Sequence, residues 1–395
     1  MAATAPSSST APRPIVDAAR SLYPLLSGQS GRIEEQRRLT PEAVAALKEA
    51  RLFRLCVPRK YAGLEATPME MIEVVSEVAR ADGSSGWCVA IGATSGLVAG
   101  YLADADAKEI FASDPTSCAG GVFAPRGEAV AEGSSYRVRG RWPFASGIQH
   151  CSWLMGGCVV LDGGKPAMLP LGIPDSRLML FPAGDAVVHD TWSVSGLCGT
   201  GSHDMEAKDL LVPRERAISL MTDKPRVESP LYKFPVFGCL AIGIASVSLG
   251  LARRAIDELV EVAGGKVPTG SRRRLADRAF VQMQVAEAEA ALGSARSFLL
   301  DTVGATYREA ERDGAIGTRQ RALLRLAATS AVTLSKKAVD LMYDAGGGTS
   351  IYRSSPLQRC FRDVHAASQH MMVSSSTLEL AGRVLMGLET DPSQI

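Results

Sequence analysis

Residues 237–264 read FGCLAIGIASVSLGLARRAIDELVEVAG, an apolar segment with helical periodicity that ends in a glycine. Three further segments of similar character follow it, at residues 278–314, 319–348 and 362–389. The first of these is rich in Ala, Glu, Gln and Arg, which are good helix formers. Four long amphipathic segments with short connections predict a four-helix bundle over residues 221–395.

Upstream of this bundle, residues 15–115 are also predicted to be helical. Thr40-Pro41-Glu42 is a helix-start signal, and Thr67-Pro68-Met69-Glu70 is a capping box. After a break at ADGSSGW (81–87), the segment CVAIGATSGLVAGYL (88–102) is apolar nearly all round and predicts a buried helix. Residues 1–14 are small and polar, which predicts a disordered tail.

Residues 116–220 have a different character. They are rich in Gly and Pro, and runs such as SYRVRGRW (135–142) alternate along their length. Short strands separated by turn signals predict an antiparallel β-barrel or sandwich. The fold class is therefore α+β, mostly α, with an N-terminal helical domain, a central β domain and a C-terminal four-helix bundle.

Composition argues against several classes of function. The net charge is +1, so nothing points to nucleic acid or to an acidic membrane surface. No stretch of about 18 uncharged apolar residues suggests a membrane-spanning helix. The eight cysteines are scattered without zinc spacing, which predicts reduced core thiols in a cytoplasmic protein and no metal site.

Four motifs give this domain order a more specific interpretation. They are ADGSSGW (81–87), GRWPFASGIQHCSW (140–153), WSVSGLCGTGSHD (192–204) and QRCFRDVHAASQH (358–370). In this order they resemble one branch of the acyl-CoA dehydrogenase fold, the oxygenase components of two-component flavin-dependent monooxygenases. The resemblance implies reduced FMN or FAD, dioxygen and a C4a-hydroperoxyflavin that hydroxylates a small or polycyclic aromatic substrate, phenol- or indole-like. It also implies a separate NAD(P)H-dependent flavin reductase. The helical bundle and the basic stretch at residues 271–278 predict a homotetramer with flavin sites at the subunit borders.

The stretch at 140–153 suits a flavin ring, which needs flat or apolar walls and hydrogen bonds at its rim. A strand ends here in a turn, and Gly147 allows the backbone to approach the ring closely. The resemblance places Ser146 beside flavin N5 as a catalytic residue. The other interpretation is a polar strand end with a core tryptophan. The predicted cofactor contacts in this region are Trp87, Phe144, Ala145, Ser146 and Gly147.

The C-terminal motif supplies the second catalytic candidate, His370, with Gln369 beside it as a cofactor contact. By resemblance His370 points at the flavin and the substrate, and a histidine of near-neutral pKa could take a phenol proton. On a continuous helix Asp363 and His370 would share a face, whereas His365 would lie about 140° away. His365 is therefore interpreted as structural, paired with a carboxylate or the backbone. A buried histidine bonded to a backbone carbonyl is the alternative for His370.

The substrate candidates are less well defined. Many members of the family have a histidine shortly after the position of Trp87, whereas this sequence has Thr94 and Ser95 there. These two residues are predicted substrate contacts, and their presence permits a bulkier or less acidic ring. His150 is a third candidate, which could instead cap its turn. His203 and Asp204 are interpreted as loop-capping residues.

Two glycine- or arginine-rich stretches could also contact the flavin. The resemblance assigns an arginine near the start of the second bundle helix to the flavin phosphate of a neighbouring subunit, since an arginine fork suits phosphate. We take Arg272 for this role, with Arg273 and Arg274 as alternatives, and a solvated helix start as the other interpretation. Gly346 and Gly347 either approach the flavin or form a tight turn.

Three other functions are alternatives to hydroxylation. Oxygenation at nitrogen or sulfur would use the same flavin adduct. An acyl-CoA dehydrogenase needs a carboxylate base where the C-terminal motif has histidine, and a non-enzymatic scaffold would leave all four motifs unexplained. Gly199-Thr200-Gly201 lacks the third glycine of a dinucleotide fingerprint. The chain is therefore not expected to reduce flavin with NAD(P)H by itself.

Overall fold

A computed structural model describes residues 14–170, 172–312 and 314–391. The predicted tail falls on residues outside these ranges, except Pro14, which begins the first helix. The N-terminal helices are α1 (Pro14–Ser21), α2 (Tyr23–Gln36), α3 (Pro41–Glu49), α4 (Pro68–Ala81), α5 (Gly83–Ser95) and α6 (Asp104–Ala107). The strands are β1 (Ala119–Glu132), β2 (Ser135–Trp142), β3 (Trp153–Asp162), β4 (Lys165–Pro166), β5 (Ser176–Pro182), β6 (Val187–His189), β7 (Asp204–Pro213) and β8 (Ala217–Ile218). The C-terminal helices are α7 (Pro230–Lys233), α8 (Val236–Gly265), α9 (Ala279–Arg312), α10 (Thr318–Gly346), α11 (Pro356–Ala367) and α12 (Ser376–Leu385).

The predicted helix starts in the N-terminal domain are confirmed. Thr40 accepts a hydrogen bond from the backbone N–H of Ala43, and Thr67 forms a capping box with Glu70. The predicted break at ADGSSGW is confirmed but shorter than predicted, because α4 ends at Ala81, Asp82 is extended, and α5 already begins at Gly83 within this motif. Asp82 acts as its N-cap by accepting from the backbone N–H of Ser85 at 2.7 Å. A good cap thus offsets the low helix propensity of the glycines.

The central sheet has the strand order β6-β7-β2-β1-β3-β5-β8, with β4 paired to β3. Its pairs are antiparallel except for β1 and β3, which run parallel, so the sheet is mixed rather than wholly antiparallel. The cause is the connection between β2 and β3, residues 143–152, which carries the chain past β1 to its other side. The connection crosses β1 at Gly120, where a Cβ atom would lie 2.6 Å from Cys151 Sγ. This crossing holds the stretch that was predicted to contact flavin.

Trp142 belongs to the core of this sheet rather than to the site. It is fully buried, and its Nε1 donates to the carbonyl of Gly157 at 2.7 Å. Cβ atoms at Gly127, Gly140 and Gly156 would each come within 2.3–2.8 Å of its ring. The glycines therefore make room for one large aromatic side chain.

The C-terminal bundle is built from α8, α9, α10 and a divided fourth element. The prediction of one continuous helix over residues 362–389 is wrong, because α11 ends at Ala367 and α12 begins at Ser376. Four consecutive hydroxyl residues, Ser374–Thr377, explain the interruption, since their side chains compete for backbone hydrogen bonds. Ser374 indeed donates to the carbonyl of Met371.

The long helix α8 occupies the centre of the bundle. Among the described residues it alone is long and apolar enough to cross a membrane by length and composition, and 78 % of its apolar window is buried inside the molecule. Such burial is what the core helix of a bundle requires, because a helix that is apolar all round must be covered on all sides.

Candidate active site

The turn that follows β2 is held against the segment that precedes β7. Ala145 N–H donates to the carbonyl of His203 at 3.0 Å, and Gly147 N–H donates to the carbonyl of Thr200 at 2.9 Å. Phe144 has a φ of 66° and Gly147 a φ of 72°. A phenylalanine in the left-handed region is strained, and such strain is typical of functional sites.

Four side chains form a line of hydrogen bonds at this turn. Trp87 Nε1 on α5 donates to Ser146 Oγ at 3.0 Å, and Ser146 Oγ lies 2.7 Å from Ser202 Oγ. Ser202 Oγ lies 2.7 Å from Thr200 Oγ1, which donates to the carbonyl of Leu197 at 2.8 Å. All four side chains are buried. Two predicted site residues, Trp87 and Ser146, are thus in direct contact.

His370 lies against the same tryptophan. Its ring is edge-on to that of Trp87, with centroids 5.8 Å apart. Because α11 ends at Ala367, His370 caps a short 3-10 turn instead of sharing a helix face with Asp363, and that part of the sequence prediction is wrong. Although the helix ends before His370, the side chain of His370 still contacts Trp87, the other predicted site residue.

The protonation state of His370 differs from the expectation of a near-neutral pKa. Burial lowers the pKa of His370 to about 4, so the ring is neutral at pH 7. Its Nδ1 accepts from the backbone N–H of Met372 at 3.2 Å. A neutral imidazole that accepts at Nδ1 carries its proton on Nε2. In this state His370 is a hydrogen-bond donor rather than a base.

The walls around these residues suit a flat ring. Phe144 is 67 % exposed and stands edge-on to Trp192, with centroids 6.1 Å apart. The indole of Trp192 is fixed by a bond from its Nε1 to the carbonyl of Leu197 at 3.3 Å. An exposed phenylalanine beside a buried serine gives an apolar wall with a polar contact at its rim. This set of groups fits a flavin ring.

A buried carboxyl group supports the site from behind. Asp363 on α11 accepts from the backbone N–H of Leu197 at 2.6 Å, and Leu197 has a φ of 52°. Burial raises the pKa of Asp363 to about 7. A Cβ at Gly83 would lie 2.8 Å from Asp363 Oδ2, which accounts for a glycine after the N-cap. The first, third and fourth motifs therefore meet at Asp363.

Four further predicted contacts are not part of this line of side-chain hydrogen bonds. Ala145 is buried in the turn, and Gln369 is exposed beside His370. Thr94 and Ser95 are buried at the far end of α5, where Thr94 Oγ1 donates to the carbonyl of Ala90 at 2.8 Å. Their predicted roles in binding cofactor or substrate stay predictions.

His150 packs behind the turn, against Phe53, with ring centroids 4.8 Å apart. A Cβ at Gly147 would meet its ring at 2.8 Å, and burial lowers the pKa of His150 to about 4. Within the described residues, Cys118, His150 and Cys151 are the group whose potential metal-ligand atoms lie within 4.8 Å of one another. Both thiols donate to backbone carbonyls, at 3.2 and 3.3 Å. Both sulfur atoms thus have hydrogen-bond partners within the fold, and the absence of a metal stays a prediction.

The three remaining polar candidates have structural partners. His203 Nδ1 accepts from the backbone N–H groups of Thr191 and Trp192, both at 3.2 Å, so it is a neutral loop cap although Asp190 lies 3.4 Å away. Asp204 accepts from Thr191 Oγ1 at 2.9 Å, again as a loop cap. His365 Nε2 lies 2.8 Å from Asp340, the kind of carboxylate partner that was predicted.

The arginine and glycine stretches lie outside this group of contacts. Residues 272–274 precede α9, all three arginines are exposed, and Arg274 pairs with Asp277 at 3.1 Å. Gly346 ends α10 and accepts from Lys266 Nζ at 2.8 Å, while Gly347 follows with a φ of 56°. The tight turn is thus present, and the flavin contacts of both stretches stay predictions.

Sequence reasoning missed the two hydroxyl residues of the hydrogen-bond line, Ser202 and Thr200. They lie in GTGSHD, where the glycine spacing draws attention to a phosphate-binding loop rather than to the hydroxyl groups. The signal that could have identified them is the concentration of small hydroxyl residues in two motifs, at 146 and at 200–202.

Comparison with known proteins places this geometry in context. The acyl-CoA dehydrogenase N-terminal domain matches residues 26–109, and the acyl-CoA dehydrogenase C-terminal domain matches residues 242–375. The chain is 31 % identical to indole-3-acetate monooxygenase of Pseudomonas putida over 366 residues, which cover 92 % of each protein. It is 28 % identical to the oxygenase component of FADH2-dependent resorcinol hydroxylase of Rhizobium sp. strain MTP-10005, with 92 % of each covered.

Solved structures agree with these matches. XiaF from Streptomyces sp., solved in complex with FADH2 and glycerol, superposes with a TM-score of 0.88. The two chains are 28 % identical, and 96 % of each is covered. The predicted order of helical domain, central sheet and helical bundle is therefore shared with a protein that binds reduced flavin.

Proposed function

This chain belongs to the flavin-dependent monooxygenases of the acyl-CoA dehydrogenase fold, as an oxygenase component, and we propose that it uses reduced flavin and dioxygen to hydroxylate a small or polycyclic aromatic substrate. The observation that carries the proposal is the meeting of three motifs at one tryptophan. Trp87 donates to Ser146 and lies edge-on to His370, although these residues are 59 and 283 positions away in the sequence.

The residues at this point have complementary roles in the proposal. Bound reduced flavin supplies the electrons that activate dioxygen. Trp87 and Phe144 provide flat walls for its ring, Gly147 allows the backbone to come close, and Ser146 contacts the polar rim near N5. Burial of Trp87 and Ser146 excludes water, which protects reactive oxygen from being lost as hydrogen peroxide.

His370 is proposed to bind the substrate. A neutral imidazole with its proton on Nε2 donates a hydrogen bond to the substrate oxygen, and it binds a phenolate that has released its proton to solvent more tightly than a phenol. This raises the electron density of the ring that accepts oxygen. The aromatic surroundings favour a phenol- or indole-like substrate over an aliphatic one.

The function is tested by supplying reduced flavin from outside. The purified protein alone should not oxidise NADH or NADPH, since the sequence has no dinucleotide fingerprint. With a generic NADH-dependent flavin reductase, FMN or FAD, and a panel of phenols and indoles, we expect products heavier by one oxygen atom in mass spectrometry. Oxidation of NADH without reductase, or no oxygenated product across the panel despite reduced flavin, would contradict the proposal.

Further parts of the proposal concern partners. We propose a separate flavin reductase, a cytoplasmic location and a homotetramer in which Arg272 reaches the flavin phosphate of a neighbouring subunit. Exposed apolar side chains on α9, Phe280 and Met283, which are 63 % and 69 % exposed, support an interface on the bundle. Light scattering should give the mass of four chains.

The hydroxyl of Ser146 is expected to control how much activated oxygen reaches the substrate. Ser146→Ala should fold and still oxidise reduced flavin, but it should release about ten times more hydrogen peroxide per product, because a hydrogen bond at the flavin rim is worth about 1–1.5 kcal/mol. Peroxide and product are measured in the same reaction. Ser76→Ala, which removes a hydroxyl that bonds to the carbonyl of Ser246, is the control. If Ser146→Ala releases the same amount of hydrogen peroxide per product as wild type, residues 140–153 are an ordinary strand end without a role in catalysis.

A further inference from the structure

The line of hydrogen bonds through Ser146 has a fixed direction. At one end Trp87 Nε1–H can only donate, and at the other end the carbonyl of Leu197 can only accept. Thr200 therefore donates its single hydroxyl proton to the carbonyl of Leu197. The 2.7 Å contact between Thr200 and Ser202 must then use the proton of Ser202, and the 2.7 Å contact between Ser202 and Ser146 must use the proton of Ser146.

In this direction Ser146 can only accept a hydrogen bond from a ligand. Its proton is donated to Ser202, and one of its two lone pairs accepts from Trp87. The other lone pair stays open, so Ser146 presents an acceptor to a ligand. The Leu197 end sets this direction, because a carbonyl has no proton and accepts the proton of Thr200. The Trp87 end is compatible with either direction, since a hydroxyl oxygen that accepts from an indole N–H has a second lone pair.

We infer that Ser202 and Thr200 are positioning residues that make Ser146 select reduced over oxidised flavin. The inference rests on the proposed function, in which Ser146 lies at flavin N5. Reduced flavin carries a hydrogen on N5 and matches an acceptor, whereas N5 of oxidised flavin is itself an acceptor and faces the lone pair. Mispairing of buried polar groups costs about ten- to a hundredfold in Kd.

The contacts of Ser202 and Thr200 fit this role. Both side chains are almost fully buried, at 3 % and 1 % exposure, and both hydroxyls lie within the line. The backbone carbonyl of Thr200 also accepts from Gly147 N–H, which fixes the distance between the two segments. Neither hydroxyl needs to touch flavin to determine which way the Ser146 proton points.

Two substitutions test the direction of the line. Ser202→Ala removes the acceptor of the Ser146 proton, which is then free to turn toward N5 of oxidised flavin. Thr200→Val keeps the shape of the side chain but removes the acceptor of the Ser202 proton. Ser202 can then donate to Ser146, which frees the proton of Ser146 to turn toward N5 of oxidised flavin. Ser248→Ala is the matched control, since it removes a buried hydroxyl that donates to the carbonyl of Ile244 in its own helix.

The readout is the dissociation constant for oxidised flavin divided by that for anaerobically reduced flavin. Both constants are measured by fluorescence or calorimetry. Wild type and Ser248→Ala should bind reduced flavin more tightly, and the ratio should fall about tenfold in Ser202→Ala and Thr200→Val. In both variants the midpoint potential of bound flavin should be about 30 mV more negative than in wild type. This is the shift that a tenfold change in the ratio gives for a two-electron couple. This potential is independent of turnover.

The outcomes separate this inference from the proposed function. If wild type prefers reduced flavin and both folded variants keep the same ratio, the positioning role of Ser202 and Thr200 is wrong while the oxygenase function stands. If wild type binds neither form of flavin, the proposed function fails and the inference fails with it. A lower ratio in Thr200→Val alone supports the inference even if Ser202→Ala does not fold, because this isosteric change lies three hydrogen bonds from the ligand and reaches Ser146 through Ser202.

Discussion

Replacing His370 by alanine should lower the rate of product formation from a phenol about a hundredfold, while reduced flavin should still be oxidised by dioxygen. The reason is that His370 donates through Nε2, since its Nδ1 already accepts from Met372 N–H. Loss of a positioned donor in a water-excluded site typically costs a hundred- to a thousandfold in rate. Product by mass spectrometry and flavin oxidation by absorbance, in the same reaction, measure the two steps separately.

A second variant distinguishes a donor from a base. His370→Asn keeps an N–H donor near the same position but cannot accept a phenol proton, so it should recover part of the lost rate. The rate in wild type should also show no titration of His370 between pH 6 and 9, because burial lowers its pKa to about 4. If His370→Asn is as slow as His370→Ala, and the wild-type rate follows an ionisation near neutrality that Asp363→Asn does not remove, His370 is a base.

The parts of the fold that the sequence predicts well are those specified by local pattern. The apolar periodicity of α8 and the capping box at Thr67 need only neighbouring residues, and both are confirmed. The parallel pairing of β1 and β3 was missed because it depends on where residues 143–152 carry the chain. Local alternation predicts that a strand exists, but it contains nothing about which strand lies beside it.

The site follows the same division. Ser146 and His370 were predicted from motifs, yet Ser202 was missed although it contacts Ser146. These two serines are 56 residues apart, and the pairing of β2 with β7, which sets Trp142 opposite Met205, brings them together. The register between two strands depends on the tertiary structure, and it cannot be derived from the pattern of a single sequence.

The lowered pKa of His370 was missed for a related reason. A histidine in isolation has a pKa near neutrality, and the prediction of a base used that value. The actual environment adds burial and a backbone donor at Nδ1. Both effects arise only after α11 ends at Ala367 and the chain turns His370 toward Trp87.

Asp363 connects the stability of the fold to the shape of the site. It is buried, and its carboxyl accepts from Leu197 N–H, the residue whose carbonyl ends the hydrogen-bond line through Ser146. The nearby arginines do not neutralise it fully, since Arg359 and Arg362 both pair with Glu34. Burial therefore dominates and raises the pKa of Asp363 to about 7, from 3.8.

This raised pKa should make the protein less stable as the pH rises from 5 to 8. The unfolded chain loses the Asp363 proton near pH 4, whereas the folded chain keeps it until about pH 7, so its stabilising contribution is complete below pH 4 and is lost as the pH rises through 7. About two pH units lie between pH 5 and the folded pKa, which corresponds to about 3 kcal/mol. Asp363→Asn, which is neutral at every pH and can still accept from Leu197 N–H, should lack this loss.

Urea unfolding of wild type and Asp363→Asn at pH 5 and pH 8, at one protein concentration, measures the difference. We expect the stability of the variant relative to wild type to increase by about 3 kcal/mol between the two pH values. Asp162→Asn, which removes an exposed carboxylate at the end of β3, should show no comparable change. An equal difference between Asp363→Asn and wild type at both pH values would mean that Asp363 is already ionised at pH 5. The bond to Leu197 would then be made by a carboxylate, whose charge the neighbouring arginines must offset.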